Sequence, residues 1–394
     1  MTQPNQQLQY KPQIKGNNDI NISRPESTLP TPVLSPSNSI GPSPAFSTVL
    51  QSPAVSEFEL ENPFDKLGLG LGSASSKAAD EWQIPECWGH RGASASFPEN
   101  TKASFIEACK AGADGIETDI HITADNVLVL FHDPELHRTT DGEGLIHKQP
   151  WDGVLEHVRT KEAPHQPIPK FTEVLEILLQ PENMNVKLNI DCKVENDPTK
   201  LFSLMKDVVQ SYPGWETKLA PRLILGIWHP KFISPACEIL PYLPRYAISM
   251  SIEQCSKYFW KNCHGFSIMY EVLASSKGQS FLNQAKKENK KICCWTVNSC
   301  EEMKQCVKWG IKSIISDKPG LWRKIKLDIE TDRVKALKPT LQSVILPYLY
   351  PKNYWFQYAR AAKEETEYLV REGGTFDIQV PVISMNIVKP SDSA

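Results

Sequence analysis

Asp114-Gly115-Ile116-Glu117-Thr118-Asp119-Ile120 is a short apolar stretch carrying two carboxylates at alternate positions. Read as a strand, it sends successive side chains to opposite faces, so Glu117 and Asp119 share one face, a pleat apart. Two carboxylates on one face of a buried strand repel each other, and they are costly to desolvate unless a cation neutralises them. Oxygen donors of this kind suit Mg²⁺, Ca²⁺ or Mn²⁺ rather than zinc. On either side stand His90-Arg91-Gly92 and His132-Asp133. Imidazole titrates near neutrality, so one of the two histidines can take a proton while the other gives one. Arg91 is planar and permanently charged, and it can grip phosphate oxygens in pairs. A divalent cation, an acid–base pair and an anion clamp together point to a metal-dependent phosphodiesterase.

Working outward, similar apolar stretches predict strands over Glu86–Gly89, Gly115–Ile120, Lys187–Cys192, Arg222–Trp228, Arg245–Met250, Gly265–Tyr270, Lys291–Val297 and Ser313–Ser316. Helical patterns follow most of them, as at Pro198–Gln210, Gln279–Asn289 and Cys300–Trp309. The pattern predicts an α/β fold, either a closed (β/α)₈ barrel or an open doubly wound sheet, and periodicity alone does not choose between them. The gap 123–180 holds one more strand candidate, at 127–131, with a loop and a helix. In a barrel, His90 would end the first strand, Glu117 and Asp119 the second, Asp191 and Lys193 the third, and Trp295 the seventh, so distant residues would meet at one rim. Glu99, Asn100 and Thr101 read as the brace of the first helix. His121 reads as a loop residue, and Arg138-Thr139-Thr140 as the support of the loop that carries His132.

The flanks have a different composition. Residues 1–80 are rich in Pro, Ser, Asn, Gln and Thr and lack apolar periodicity, so a disordered low-complexity tail is expected there. Its Thr31-Pro32, Ser35-Pro36, Ser43-Pro44 and Ser52-Pro53 pairs suit proline-directed phosphorylation. The remainder divides into an expected catalytic domain over 84–325 and a C-terminal extension over 326–394. A net charge of −3 without a basic block argues against nucleic acid as a partner. Ten cysteines at irregular spacings, with Cys293 and Cys294 adjacent, read as buried free thiols of a reducing compartment. The first residues lack the apolar core of a secretory signal, and no run approaches the roughly 20 residues that span a bilayer. An intracellular, cytoplasmic protein is expected. In the extension, Ser343–Tyr350 and Tyr354-Trp355-Phe356 set aromatics beside Lys352, Arg360 and Lys363. That suits peripheral contact with an internal membrane or lipid droplet, and equally suits packing on the domain.

Trp88-Gly89-His90-Arg91-Gly92, Pro98-Glu99-Asn100-Thr101, the carboxylate strand and Phe131-His132-Asp133-Pro134 follow one another in a fixed order. After them come Ile168-Pro169-Lys170-Phe171, Asn189-Ile190-Asp191-Cys192-Lys193, Trp295-Thr296-Val297-Asn298 and Ile314-Ile315-Ser316-Asp317-Lys318-Pro319. In order and spacing the chain resembles the glycerophosphodiester phosphodiesterase family. The resemblance implies a TIM barrel with a small insertion after an early strand. It also implies His90 and His132 as the catalytic pair, a divalent cation (Mg²⁺ or Ca²⁺) on Glu117, Asp119 and Asp191, phosphate binding by Arg91 and Lys193, and an apolar wall from Trp295. The family more commonly has Glu where Asp191 stands, so this shorter side chain must reach differently. The implied reaction has two steps. A glycerol hydroxyl attacks phosphorus to expel the alcohol, and water then opens the cyclic glycerol phosphate. With Leu225-Gly226-Ile227-Trp228-His229-Pro230 and the aspartate at 191, the chain is most similar to the fungal phosphatidylglycerol phospholipase C branch. The substrate expected is therefore phosphatidylglycerol. A soluble glycerophosphodiesterase, a lysophospholipase D and a catalytically silent lipid-binding barrel are the alternatives.

Overall fold

Strands buried on both faces are continuous apolar runs, and they need neighbours on both edges as well as both faces. The computed structural model describes residues 83–339, 351–380, 387 and 389, the first eight residues of 351–380 by backbone alone. The expected tail over 1–80 and the Ser343–Tyr350 stretch lie outside the described residues. Among the described residues there are nine strands: β1 (Glu86–His90), β2 (Gly115–Ile122), β3 (Leu128–Leu130), β4 (Lys187–Cys192), β5 (Leu223–Ile227), β6 (Arg245–Ser249), β7 (Gly265–Met269), β8 (Lys291–Trp295) and β9 (Ser313–Ser316). All except β3 pair in parallel, in the order β1-β9-β8-β7-β6-β5-β4-β2, and β1 also pairs with β2. That last pairing closes the ring: the fold is an eight-stranded barrel with helices around it, not an open sheet.

Alternation along the strands separates two cores. Trp88, Ile224, Tyr246, Cys293 and Ile315 form one buried cluster from five strands, with Trp295 packed against it. These side chains fill the barrel interior, as such barrels require. Their neighbours in sequence join the larger cluster between strands and helices, where Phe105, Phe202, Phe266 and Trp322 are buried. Glu86 lies at the opposite end of the barrel from the strands' C-terminal rim. It accepts hydrogen bonds there from Lys187 (2.7 Å) and Lys312.

Two additions modify the barrel. Between β2 and Phe171–Leu178, the antiparallel β3 opens an insertion with a small core of its own, made of Val129, Phe131, Leu136, Ile146, Leu155, Val158 and Ile168. At the other end, the last barrel helix runs Pro319–Thr331, so the barrel continues past the expected boundary at 325. The extension then supplies a helix over Pro351–Gly373. Its described part packs on the barrel through Leu369 and Phe376, which are 3% and 5% exposed. Among the described residues no helix is long and apolar enough to cross a membrane. All ten cysteines are free thiols.

Candidate active site

The carboxylate strand sits where expected, and its neighbour completes the set. In the β2–β4 register Asp119 pairs with Asp191. Glu117, Asp119 and Asp191 each offer an oxygen to a common point, with these atoms within 4.8 Å of one another and all three residues buried. Burial and the neighbouring aspartates push the Glu117 carboxyl well up. Burial likewise raises Asp191, against the pull of Lys193. Burial works on Asp119 in the same sense, but Lys193, His132 and Arg91 outweigh it and hold that carboxyl low. Crowded, desolvated oxygens of this kind fit a divalent cation of the Mg²⁺ or Ca²⁺ type. Lys193 Nζ bridges Asp119 (2.7 Å) and Asp191 (2.9 Å). Trp228 Nε1 donates to the other oxygen of Asp191 at 2.9 Å.

β1 delivers His90 and Arg91 through a tight turn. Arg91 and Gly92 both have positive φ, 53° and 86°. A Cβ on Gly92 would stand 2.4 Å from Ser104 Oγ, so only glycine lets this turn pack on the Lys102–Lys110 helix. The turn aims the Arg91 amide at Glu117 Oε2 (3.0 Å). The guanidinium pairs with Glu99 (3.0 Å) and approaches Asp119 (3.4 Å). Arg91 is thus a half-buried partner of two carboxylates, with its Nε buried and donating no hydrogen bond among the described residues.

Each candidate histidine is backed by a carboxylate. His90 Nδ1 meets Asp317 Oδ1 at 2.6 Å, and Asp317 also accepts from Ser94 Oγ (3.0 Å) and Asn298 Nδ2 (2.6 Å). His132 Nδ1 meets Asp133 at 2.6 Å, and Arg138 ties Asp133 to Glu99. An Nδ1–H held by a carboxylate leaves Nε2 as the working nitrogen. The environments of the two rings differ. Burial and Arg91 push His90 down, but Asp317 and Glu117 outweigh them and raise it. Burial, with the charges of Arg91 and Lys193, pushes His132 down to about 4.

Three sequence expectations need correction. Glu99 does not brace the first helix; it bridges Arg91 and Arg138. Asn100 turns inward to donate to Asp119 Oδ2 (2.7 Å) and accept from Thr118 (2.7 Å), leaving Thr101 alone as the helix cap. His121 is a buried residue of β2 whose Nε2 reaches the His132 carbonyl (3.3 Å), because that strand runs two residues further than its apolar pattern suggests. Trp295 lies at the end of β8 with its ring 5.8 Å from that of Trp228. Asp317, Asn298 and Trp228 were not assigned roles from the sequence, although Ser-Asp-Lys-Pro directly after an apolar strand is the signal that marks Asp317.

Comparison with known proteins identifies the family. Residues 90–321, more than half of the chain, match the glycerophosphoryl diester phosphodiesterase family. The chain belongs to that family. Membership makes it a phosphoric diester hydrolase by class. It is 29% identical over 253 residues to the glycerophosphodiester phosphodiesterase of Caldanaerobacter subterraneus, covering 58% of this chain and 93% of that one. With the enzyme of the same name from Bacillus altitudinis it shares 23% identity over 260 residues, 63% of this chain and all of that one. The barrel resembles that of an Oleispira antarctica phosphodiesterase solved with its product sn-glycerol-3-phosphate, at a TM-score of 0.52 and 23% identity, covering 61% and 96% of the two chains. It also resembles a glycerophosphodiester phosphodiesterase from Parabacteroides distasonis, at a TM-score of 0.54 and 21% identity, over 63% and 98%. These two likenesses concern the fold. The matched family region begins at His90 and includes all the proposed ligands and both histidines.

Proposed function

We propose that the chain hydrolyses a glycerophosphodiester, and that this diester is phosphatidylglycerol, cleaved to diacylglycerol and glycerol phosphate. One observation carries the reaction class: a single rim holds two carboxylate-backed imidazoles around an all-oxygen acidic triad. In this reading one of His90 and His132 takes the proton of the attacking glycerol hydroxyl, and the other gives a proton to the departing alcohol. Asp317 and Asp133 hold the rings in the tautomer this needs. Arg91 and Lys193 bind the phosphoryl oxygens, and Trp295 with Trp228 walls the glycerol carbons. When bound by Glu117, Asp119 and Asp191, a divalent cation supplies positive charge against that building on the phosphoryl oxygens. Water then opens the cyclic product with the roles of the histidines reversed.

The lipid as substrate is supported by the aspartate at 191 and the Leu225–Pro230 segment. An intracellular enzyme touching a membrane through residues 343–360 goes with that reading. A second reading, a small alcohol such as choline as the leaving group, is favoured by the names of the relatives. Purified protein is given phosphatidylglycerol in vesicles and, separately, glycerophosphocholine, each with and without EDTA, and the released products are quantified. Diacylglycerol released in a chelator-sensitive manner supports the lipid reading. Glycerol phosphate from glycerophosphocholine alone would replace it with the second. Hydrolysis of neither would sink both.

A further inference from the structure

The C-terminal helix lies outside the region matched to the family, which ends at 321, yet it reaches the catalytic rim. Gly373 sits so close to the residues after β4 and β5 that a Cβ there would lie 2.8 Å from the His229 ring and 3.0 Å from Val194. His229 Nε2 donates to the Gly374 carbonyl (3.0 Å), and the Phe376 ring lies 4.5 Å from the His229 ring. Gln254, after β6, donates to Thr366 at 2.9 Å. These contacts fix the helix across the C-terminal ends of three strands, the end at which Asp191, Lys193 and Trp228 stand. Glu365 is one turn before the buried Leu369 and shares its inward face. It lies within electrostatic reach of Lys193, Asp191 and Glu195, and among the described residues it makes no hydrogen bond or ion pair. Burial pushes its carboxyl up to about 7 despite the pull of Lys193, as expected of a charge lacking a counter-ion of its own.

We infer that this helix forms one wall of the active-site mouth and that Glu365 on it is a specificity-determining residue, disfavouring diesters whose alcohol carries a further negative charge. The inference rests on the phosphodiester reading above. A diester brings one negative charge to the phosphoryl centre, where Arg91 and Lys193 meet it. An alcohol arm that runs over the ends of β4 and β5 would pass the helix that carries Glu365. A second anion on that arm meets like charge in a poorly screened mouth, whereas a neutral arm meets none. A cationic arm offsets Glu365.

The test compares kcat/KM of the full chain at about pH 8.5, where a carboxyl raised to about 7 is ionised, on glycerophosphocholine, glycerophosphoglycerol and glycerophosphoinositol 4-phosphate, which present a cationic, a neutral and an anionic alcohol. The wild type should turn over the anionic diester least. Glu365→Gln should raise kcat/KM on it on the order of tenfold, the size of one charge contact, while the neutral diester changes by no more than about twofold. Glu365→Lys should favour the anionic diester further. Glu365→Asp, which keeps the charge, should keep the wild-type order, and its thermal midpoint and that of the Gln variant show that both fold. Equal changes on all three substrates, or an unchanged ranking in the Gln and Lys variants, would overturn the inference. A wild type that hydrolyses none of the three overturns this inference, and the phosphodiester reading falls with it only if phosphatidylglycerol in vesicles is left intact as well.

Discussion

At the scale of the residue, the site depends on carboxylates that never need to touch the substrate. Asp317 holds His90 by Nδ1 and is itself fixed by Ser94 and Asn298. Asp317→Asn should therefore lower kcat by roughly 10²–10⁴-fold with little change in KM, since the wrong tautomer is then held in the right place. Steady-state kinetics beside a thermal melt checks this; a matching rise in KM would instead make Asp317 a binding residue. His90→Ala and His132→Ala should each abolish turnover in folded protein. At the candidate cation cradle, Asp191→Ala removes one of three buried carboxylates, leaves Lys193 with Asp119 alone and frees Trp228. Calorimetric titration with Mg²⁺ or Ca²⁺ should find affinity at least about tenfold weaker. An unchanged isotherm would place the cation elsewhere. Of these residues the sequence singles out the acidic triad and both histidines, which the structure brings to one rim, because each stands in a short motif of chemically distinctive residue types. It does not disclose partnerships. His90 and Asp317 are separated by 227 positions and meet only because β1 and β9 pair. Asn100 looks like a helix cap because cap residues and carboxylate-binding residues are the same types.

At the scale of the element, the turn after β1 and the base of the barrel carry the clearest consequences. Gly92 combines positive φ with backbone packed on Ser104. Gly92→Ala should destabilise the fold by about 1–3 kcal/mol or more, read from urea denaturation, since both the strain and the clash must be relieved by moving the turn. At the base, burial pushes Glu86 up, but Lys187 and Lys312 outweigh it and its carboxyl titrates below its ordinary 4.5. A depressed folded pKa stabilises above the unfolded value and is lost as pH falls through the folded one. The stability gap between wild type and Glu86→Gln should thus be full above about pH 5 and shrink below the ordinary 4.5. A gap that is constant down to pH 3 would remove the carboxylate's charge from the account. The strands themselves are legible in sequence because parallel strands buried on both faces leave unbroken apolar runs. Their ends are less so: β2 continues through His121, a polar residue whose burial depends on the insertion folded over it.

At the scale of the whole molecule, closure of the sheet is what the apolar pattern leaves undecided, since an open sheet uses the same strands and helices. The β1–β2 pairing settles it, and it is a contact between backbones that no side-chain pattern encodes. Deleting residues 1–80 should leave turnover of a water-soluble diester unchanged, because every site residue lies after them; a large loss would give that segment a part in catalysis. The insertion has a further consequence. It has its own core, and His132 rides on it, while His90 and the acidic triad belong to the barrel wall. On the proposed mechanism, proton traffic is therefore split between the barrel wall and the insertion, and the acidic triad belongs to the wall alone. Loosening the insertion, for instance by Leu155→Ala in its core, should uncouple the two functions: turnover falls while divalent-cation affinity holds. On that mechanism the enzyme would have a built-in clutch, able to disengage its chemistry while keeping its ion.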